Sequence, residues 1–148
     1  MQVTDEQMGL MQAWLTGTAE LAEPLPAEIT EPAVAAGLDA LSFAAFVIAA
    51  RREFAPTWTR GKVIRFTAEI RGALGDRRNL LDPIIAEEQL RNALGEPISD
   101  NSDPSKQAQA QLIMLSALVA KAGLGETAIA ALLSQAREMA DRILNDTT

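Results

Sequence analysis

The sequence contains no cysteine, no histidine and no tyrosine. Without cysteine, the chain can form no disulfide, no thiol nucleophile and no zinc site built on thiolates. Without histidine, it lacks the Ser-His and Cys-His catalytic pairs, imidazole metal ligands and the usual general base near neutral pH. We therefore expect a protein that is not an enzyme, with no catalytic residues and with neither a metal nor a cofactor.

Two short motifs resemble ligand-binding patterns but lack the surroundings that those patterns need. Gly123-x-Gly125-x-x-Ala128 matches the dinucleotide fingerprint, yet only twenty residues follow it, too few for the helix and second strand of a βαβ unit. Residues 100–103 resemble the start of a calcium loop but lack its central glycine and its final glutamate. Both motifs are better explained as a helix boundary and a polar loop.

Length and composition bound the class of protein. The chain has 148 residues, of which 48% are apolar and 22% charged, with a formal net charge of -7. These values suit a single folded domain over residues 1–148 and argue against disorder. No basic residue precedes Arg51, so we expect no secretory signal. The apolar stretch 33–50 contains Asp39, whose charge would be costly in lipid, and we therefore expect a cytoplasmic protein without a membrane span.

The apolar residues recur at intervals of three and four, which is typical of α-helices, whereas no stretch alternates as a strand would. Capping residues, prolines and glycines divide the chain into about six helices, which begin near residues 4, 30, 59, 83, 104 and 126. The segments 30–54 and 104–122 are apolar on all sides, a pattern typical of central helices. The sequence thus predicts an all-α compact bundle with these two helices at its centre. A sub-domain boundary, if there is one, is expected in the polar loop 95–103.

Positive charge is concentrated in the segment 51–78, which holds eight of the thirteen basic residues, whereas residues 1–50 hold seven acidic residues and no basic one. One interpretation is a helix-turn-helix that binds DNA through its second helix and contacts phosphates. The candidate anion- or nucleic-acid-binding residues are then Arg51, Arg52, Arg60, Lys62, Arg65, Arg77 and Arg78. The favoured alternative is a solvated face, or a basic belt that neutralises the acidic N-terminal third.

The first predicted helix carries apolar side chains outside its core stripe. Leu10, Trp14 and Leu21 form this second apolar line, more than a hundred degrees from the first on a helical projection. Tryptophan is enriched at binding hot spots. The line is therefore a candidate partner interface.

The third predicted helix carries a strip of mostly small residues, Gly61, Arg65, Ala68 and Gly72. Each glycine within a helix costs up to about 1 kcal/mol relative to alanine, so two on one face suggest close approach by another backbone. The favoured interpretation is packing within the same chain. The alternative is a partner interface with a second copy or with a different protein.

Together these features favour a non-catalytic helical interaction module, such as an adaptor, chaperone or regulator, that self-associates. Its partner would be a second copy or another protein. The alternative is a nucleic-acid-binding helix-turn-helix regulator that uses residues 51–78. A further alternative is a pocket for an apolar ligand between the two central helices, lined by Phe43, Phe46 and Met114.

Overall fold

The computed structural model describes residues 2–17, 32–55, 57–97 and 104–146 of the chain. Within these ranges there are six α-helices, one short 3₁₀ helix and no strand. The helices are α1 (Asp5–Gly17), α2 (Pro32–Phe54), α3 (Arg60–Leu74), the 3₁₀ helix (Gly75–Leu80), α4 (Pro83–Ala93), α5 (Pro104–Ala122) and α6 (Glu126–Asp146). The predicted all-α bundle is confirmed. The expected continuation of the first helix to residue 22, and most of the loop 95–103, lie outside the described residues.

The helix ends form where local sequence signals predict them. The backbone N–H of Gln7 donates to Thr4 Oγ1 at 3.2 Å, and the Thr4 N–H donates back to Gln7 Oε1 at 2.9 Å, so this pair forms the expected capping box of α1. Thr59 and Asp82 cap α3 and α4, because their side-chain oxygens accept from backbone N–H groups of the first turn. Gly75, with a φ of 58°, ends α3.

The 3₁₀ helix between α3 and α4 is absent from the sequence prediction. It runs over Gly75–Leu80, and none of its residues is buried. A 3₁₀ segment without a buried side leaves no repeating apolar pattern in the sequence. It nevertheless positions Arg77 and Arg78 on the surface beside the end of α3.

The centre of the bundle is formed by α2 and α5, as predicted. The helix α2 packs against α1, α4, α5 and α6, and α5 packs against α2 and α4. Leu41, Phe46, Met114 and Leu115 on these two helices are all fully buried. No helix in the described ranges is long and apolar enough to cross a membrane.

The outer helices pack in two separate groups. The helix α1 packs mainly against α6 and α2, whereas α3 packs mainly against α4. Gly37 lets α1 approach α2 closely, because a Cβ there would lie 2.4 to 2.8 Å from the side-chain amide of Gln7.

The helices α4 and α5, which flank the loop 95–103, also pack against each other. The single-domain assignment of residues 1–148 stays a prediction.

Candidate interaction surface

The helix α3 covers the core with only one of its faces. The buried side chains on that face are Val63, Phe66, Thr67, Ile70 and Leu74. The Phe66 ring packs edge to face against Phe54 at the end of α2, with 5.3 Å between ring centroids. Lys121 Nζ lies 5.4 Å from the centroid of the same ring. These contacts hold α3 against the bundle from one side and leave its opposite side to face solvent.

The α3 outer face, as we call this opposite side, consists of Gly61, Ile64, Arg65, Ala68 and Gly72. All five residues are exposed, and Ile64 is exposed to 52%. An added Cβ at Gly72 would meet nothing within 4 Å, and one at Gly61 would meet only the Thr59 hydroxyl at 3.8 Å. The favoured interpretation of the strip, packing within the chain, therefore receives no support from the described residues.

Two opposite charges lie at one edge of this face, where Glu69 stands beside Arg65. Arg65 and Glu69 are both exposed and stand one helical turn apart. Neither side chain forms a hydrogen bond or an ion pair with another described residue. Because residues four apart project on the same side of a helix, the surface offers one cation and one anion to any partner that packs on it.

Ile64 is a residue of this face that the sequence interpretation missed. Its position, about a hundred degrees from the core stripe on a helical projection, could have identified it. Among the described residues, the other exposed large hydrophobic side chains are Leu80 and Ile84, at 38% and 70% exposure. Ile84 lies on α4 and gives a comparable isoleucine that is not on the α3 outer face.

The second predicted interface, on α1, is largely taken up within the bundle. Leu10 and Trp14 are half-buried and pack against the core. The reason is that α1 packs against two helices, α2 and α6, so that both of its apolar lines find neighbours. Leu21 lies outside the described residues.

The basic residues of the segment 51–78 do not share one surface. Arg51 Nε donates to the carbonyl of Ala93 at 2.9 Å, at the C-terminal end of α4. Arg52 Nη2 donates to Gln135 Oε1 on α6 at 2.6 Å. Arg51 therefore ties α2 to the C-terminal end of α4, where a cation stabilises the last carbonyls. Arg52 ties α2 to α6.

The cations on α3 and on the 3₁₀ helix also lie at different places on the surface. Arg60 Nη2 lies 3.9 Å from Glu96 Oε1, and Lys62 Nζ donates to the Thr57 carbonyl at 3.4 Å. Arg65 lies on the α3 outer face, and the remaining two predicted residues, Arg77 and Arg78, lie on the exposed 3₁₀ helix. The seven residues predicted to bind an anion or nucleic acid are thus not brought together at one site.

The apolar-ligand alternative expected a pocket beside Phe43, Phe46 and Met114. Phe46 and Met114 are fully buried in the core, and Phe43 is half-buried against it. A cleft of about 540 Å³ opens elsewhere, between the end of α1 and the connection from α5 to α6, where Ser116 and Ile129 line it. The three residues that were predicted to line a pocket do not line this cleft.

The described ranges contain no group of three or more aspartates or glutamates arranged to hold a metal ion. Comparisons of the chain with protein-family models, with curated proteins and with solved structures find no match.

Proposed function

We propose that this protein is a non-catalytic helical interaction module that self-associates through the α3 outer face. The observation that carries the proposal is Ile64, a large apolar side chain left 52% exposed on a helix. A single exposed apolar residue is ordinary on a protein surface. Ile64, however, is flanked by Gly61 and Ala68, whose small side chains would allow a second helix to approach to the short end of the usual 8 to 10 Å interaxial distance.

A second copy of the chain is the proposed partner because the face complements itself. In an antiparallel two-fold pairing centred near residue 67, Arg65 of each copy would lie opposite Glu69 of the other. Each copy would thereby supply the charge that the other leaves unpaired. The same pairing would bring Gly61 of one copy near Gly72 of the other, where little side-chain volume keeps the backbones apart.

The proposal also implies a general biological role for the protein. A module without catalytic residues acts by bringing chains together, as an adaptor, chaperone or regulator does. A different protein partner would compete for the same face. The cytoplasm stays the predicted compartment, and nucleic acid stays the alternative partner.

Light scattering after size-exclusion chromatography tests the proposal on the intact chain. Over a micromolar to millimolar series we expect the mass to rise to twice that of one chain. Ile64→Glu would bury an unpaired charge in the interface and should give a monomer. Ile84→Glu is the matched control, because it places the same charge at an exposed isoleucine outside the α3 outer face, and it should leave the dimer intact. A wild-type chain that stays monomeric throughout, or an equal loss in both variants, would refute self-association through this face.

A further inference from the structure

Two adjoining clefts lined by cations open beside the end of α3 and the 3₁₀ helix. The first has a volume of about 440 Å³ and is lined by Arg71, Gly72, Gly75, Asp76, Arg78 and Asn79. The second, of about 270 Å³, is lined by Arg71, Asn79, Leu80, Leu81, Asp82, Pro83, Lys106 and Gln109. Arg71 and Asn79 line both clefts and therefore stand between them.

The turn at Gly75 creates this arrangement. Its φ of 58° is positive, which glycine adopts without strain, and the 3₁₀ helix that follows packs against α3. Arg71 Nε donates to the carbonyl of Arg78 at 3.5 Å, a long hydrogen bond that joins the two ends of the turn. Arg71 is half-buried and lines both clefts.

The three cations of these clefts lack acidic partners. No carboxylate oxygen of the described residues lies within 4.0 Å of the charged nitrogens of Arg71, Arg78 or Lys106. Asp76 lines the first cleft without pairing with them. Asp82, in the second cleft, already accepts two backbone N–H bonds as the cap of α4. The clefts therefore hold three cations without a direct ion pair, against the two carboxylates of Asp76 and Asp82.

We infer that these clefts bind a diphosphate group, one phosphoryl unit in each cleft, with Arg71 between the two. Guanidinium groups recognise phosphate oxygens through paired N–H donors, and an ammonium adds a point charge. Arg78 serves the first phosphoryl unit and Lys106 the second, while the amide of Asn79 can donate to either. The inference goes beyond the proposed self-association and does not depend on it. Of its three cations, only Arg78 belongs to the set that sequence predicted for anion binding.

Calorimetric titration of the intact protein with inorganic pyrophosphate at low ionic strength tests this inference. We expect one pyrophosphate per chain, and Arg71→Gln should weaken binding by about tenfold or more, because it removes a charge-assisted contact to both phosphoryl units. Lys62→Gln is the matched control: it removes a cation from α3 outside the clefts and should leave the affinity within about twofold. Circular dichroism on each variant establishes that it is folded.

Two further titrations are needed. Titration with ADP distinguishes nucleoside diphosphates from inorganic diphosphate as the ligand, and titration of Ile64→Glu with pyrophosphate tests this inference independently of the proposed self-association. ADP that binds more tightly than pyrophosphate would assign the clefts to nucleoside diphosphates, and ADP that binds equally or less tightly would assign them to inorganic diphosphate. Gly72 belongs to both the first cleft and the α3 outer face, but Ile64 lines neither cleft. Ile64→Glu, which should abolish self-association, should therefore still bind pyrophosphate. An absence of pyrophosphate binding at millimolar concentration, or an equal loss in Arg71→Gln and Lys62→Gln, would overturn the inference.

Discussion

Arg137 on α6 forms an ion pair with Asp5 at the start of α1, with 2.8 Å between Nη1 and Oδ1. Its second terminal nitrogen, Nη2, donates to the carbonyl of Val3 at 2.8 Å. The N–H of Val3 donates in turn to Asp141 Oδ1 at 2.7 Å, and Val3 is buried. Val3 and Asp5 are thus fastened to α6, which makes α1 part of the bundle.

We expect Arg137→Ala to lower the free energy of unfolding by about 1 to 2 kcal/mol, because the Asp5 carboxylate is largely exposed and most of the loss comes from the hydrogen bond to Val3. Urea unfolding measures the change. Arg142→Ala, a neighbouring exposed cation on α6, should change the stability by less than about 0.5 kcal/mol. Equal effects of the two substitutions would show that the N-terminal attachment contributes nothing specific.

Gly37→Ala should destabilise the protein even though alanine favours helices. The new methyl group would meet the Gln7 amide at 2.4 to 2.8 Å, and that amide can withdraw only by giving up its hydrogen bond to Thr4. We expect a loss of about 1 to 2 kcal/mol, measured by urea unfolding. Gly9→Ala is the control on α1: nothing lies within 4 Å of its Cβ position, so it should stabilise by about 0.5 to 1 kcal/mol. Changes of the same sign at both positions would contradict this account of the contact between α1 and α2.

Gln89 on α4 is buried, and its amide is only half satisfied. Its Oε1 accepts from Gln111 Nε2 at 2.7 Å, whereas its Nε2 has no hydrogen-bond partner among the described residues. Gln89→Met keeps the approximate shape of the side chain and removes the unpaired donor. Gln111 loses its acceptor in this variant, but it is half-buried and can donate to water instead. We therefore expect the variant to be as stable as the wild type or up to about 1 kcal/mol more stable. Leu90→Ala, at a fully buried neighbour, should instead cost about 2 to 5 kcal/mol. A loss above about 1 kcal/mol in Gln89→Met would mean that the amide pair stabilises the fold.

Asp39 gives the stability of the protein a dependence on pH. Part of its side chain is exposed, but burial of the rest raises the pKa of its carboxyl above the ordinary value of 3.8. The folded state therefore binds this proton more tightly than the unfolded state, so the carboxyl favours folding at low pH and loses that contribution as the pH rises through the raised pKa. We expect Asp39→Asn to have a higher Tm than the wild type at pH 7 and the same Tm near pH 3. Glu138→Gln, at an exposed acid on α6, is the control and should show no such difference. A Tm gain for Asp39→Asn that persists at pH 3 would refute the pKa as its cause.

Features decided by neighbouring residues in the chain could be predicted from the sequence, and those decided by packing could not. The caps at Thr4, Thr59 and Asp82 form because each side chain reaches the backbone of its own first turn. By contrast, the sequence makes the second apolar line of α1 a candidate partner interface, whereas Trp14 on this line is half-buried because α1 has two neighbouring helices. Sequence periodicity shows which side of a helix is apolar but does not show how many neighbours will cover it.

The candidate sites also depend partly on residues that the sequence reveals and partly on packing that it does not. The small residues of α3 were visible in the sequence, and the exposure of Gly72 became known only from the arrangement of the other helices. The approach of Arg71 to Arg78 depends on the 3₁₀ helix, which has no sequence period of its own. Lys106 lines the second cleft together with Arg71 because α5 lies beside α4. Lys106 and Arg71 are more than thirty residues apart in the chain.

A charge exchange across the proposed interface tests self-association most directly. Arg65→Glu alone would set Glu opposite Glu69 of the second copy, and Glu69→Arg alone would set Arg opposite Arg65, so each single variant should raise the dimer dissociation constant by about tenfold. The double variant restores opposite charges in both pairs and should return the dissociation constant to within about threefold of the wild type. Light scattering at matched concentrations measures all four proteins. A double variant that dissociates at least as readily as the single ones would contradict the antiparallel pairing of the two α3 helices.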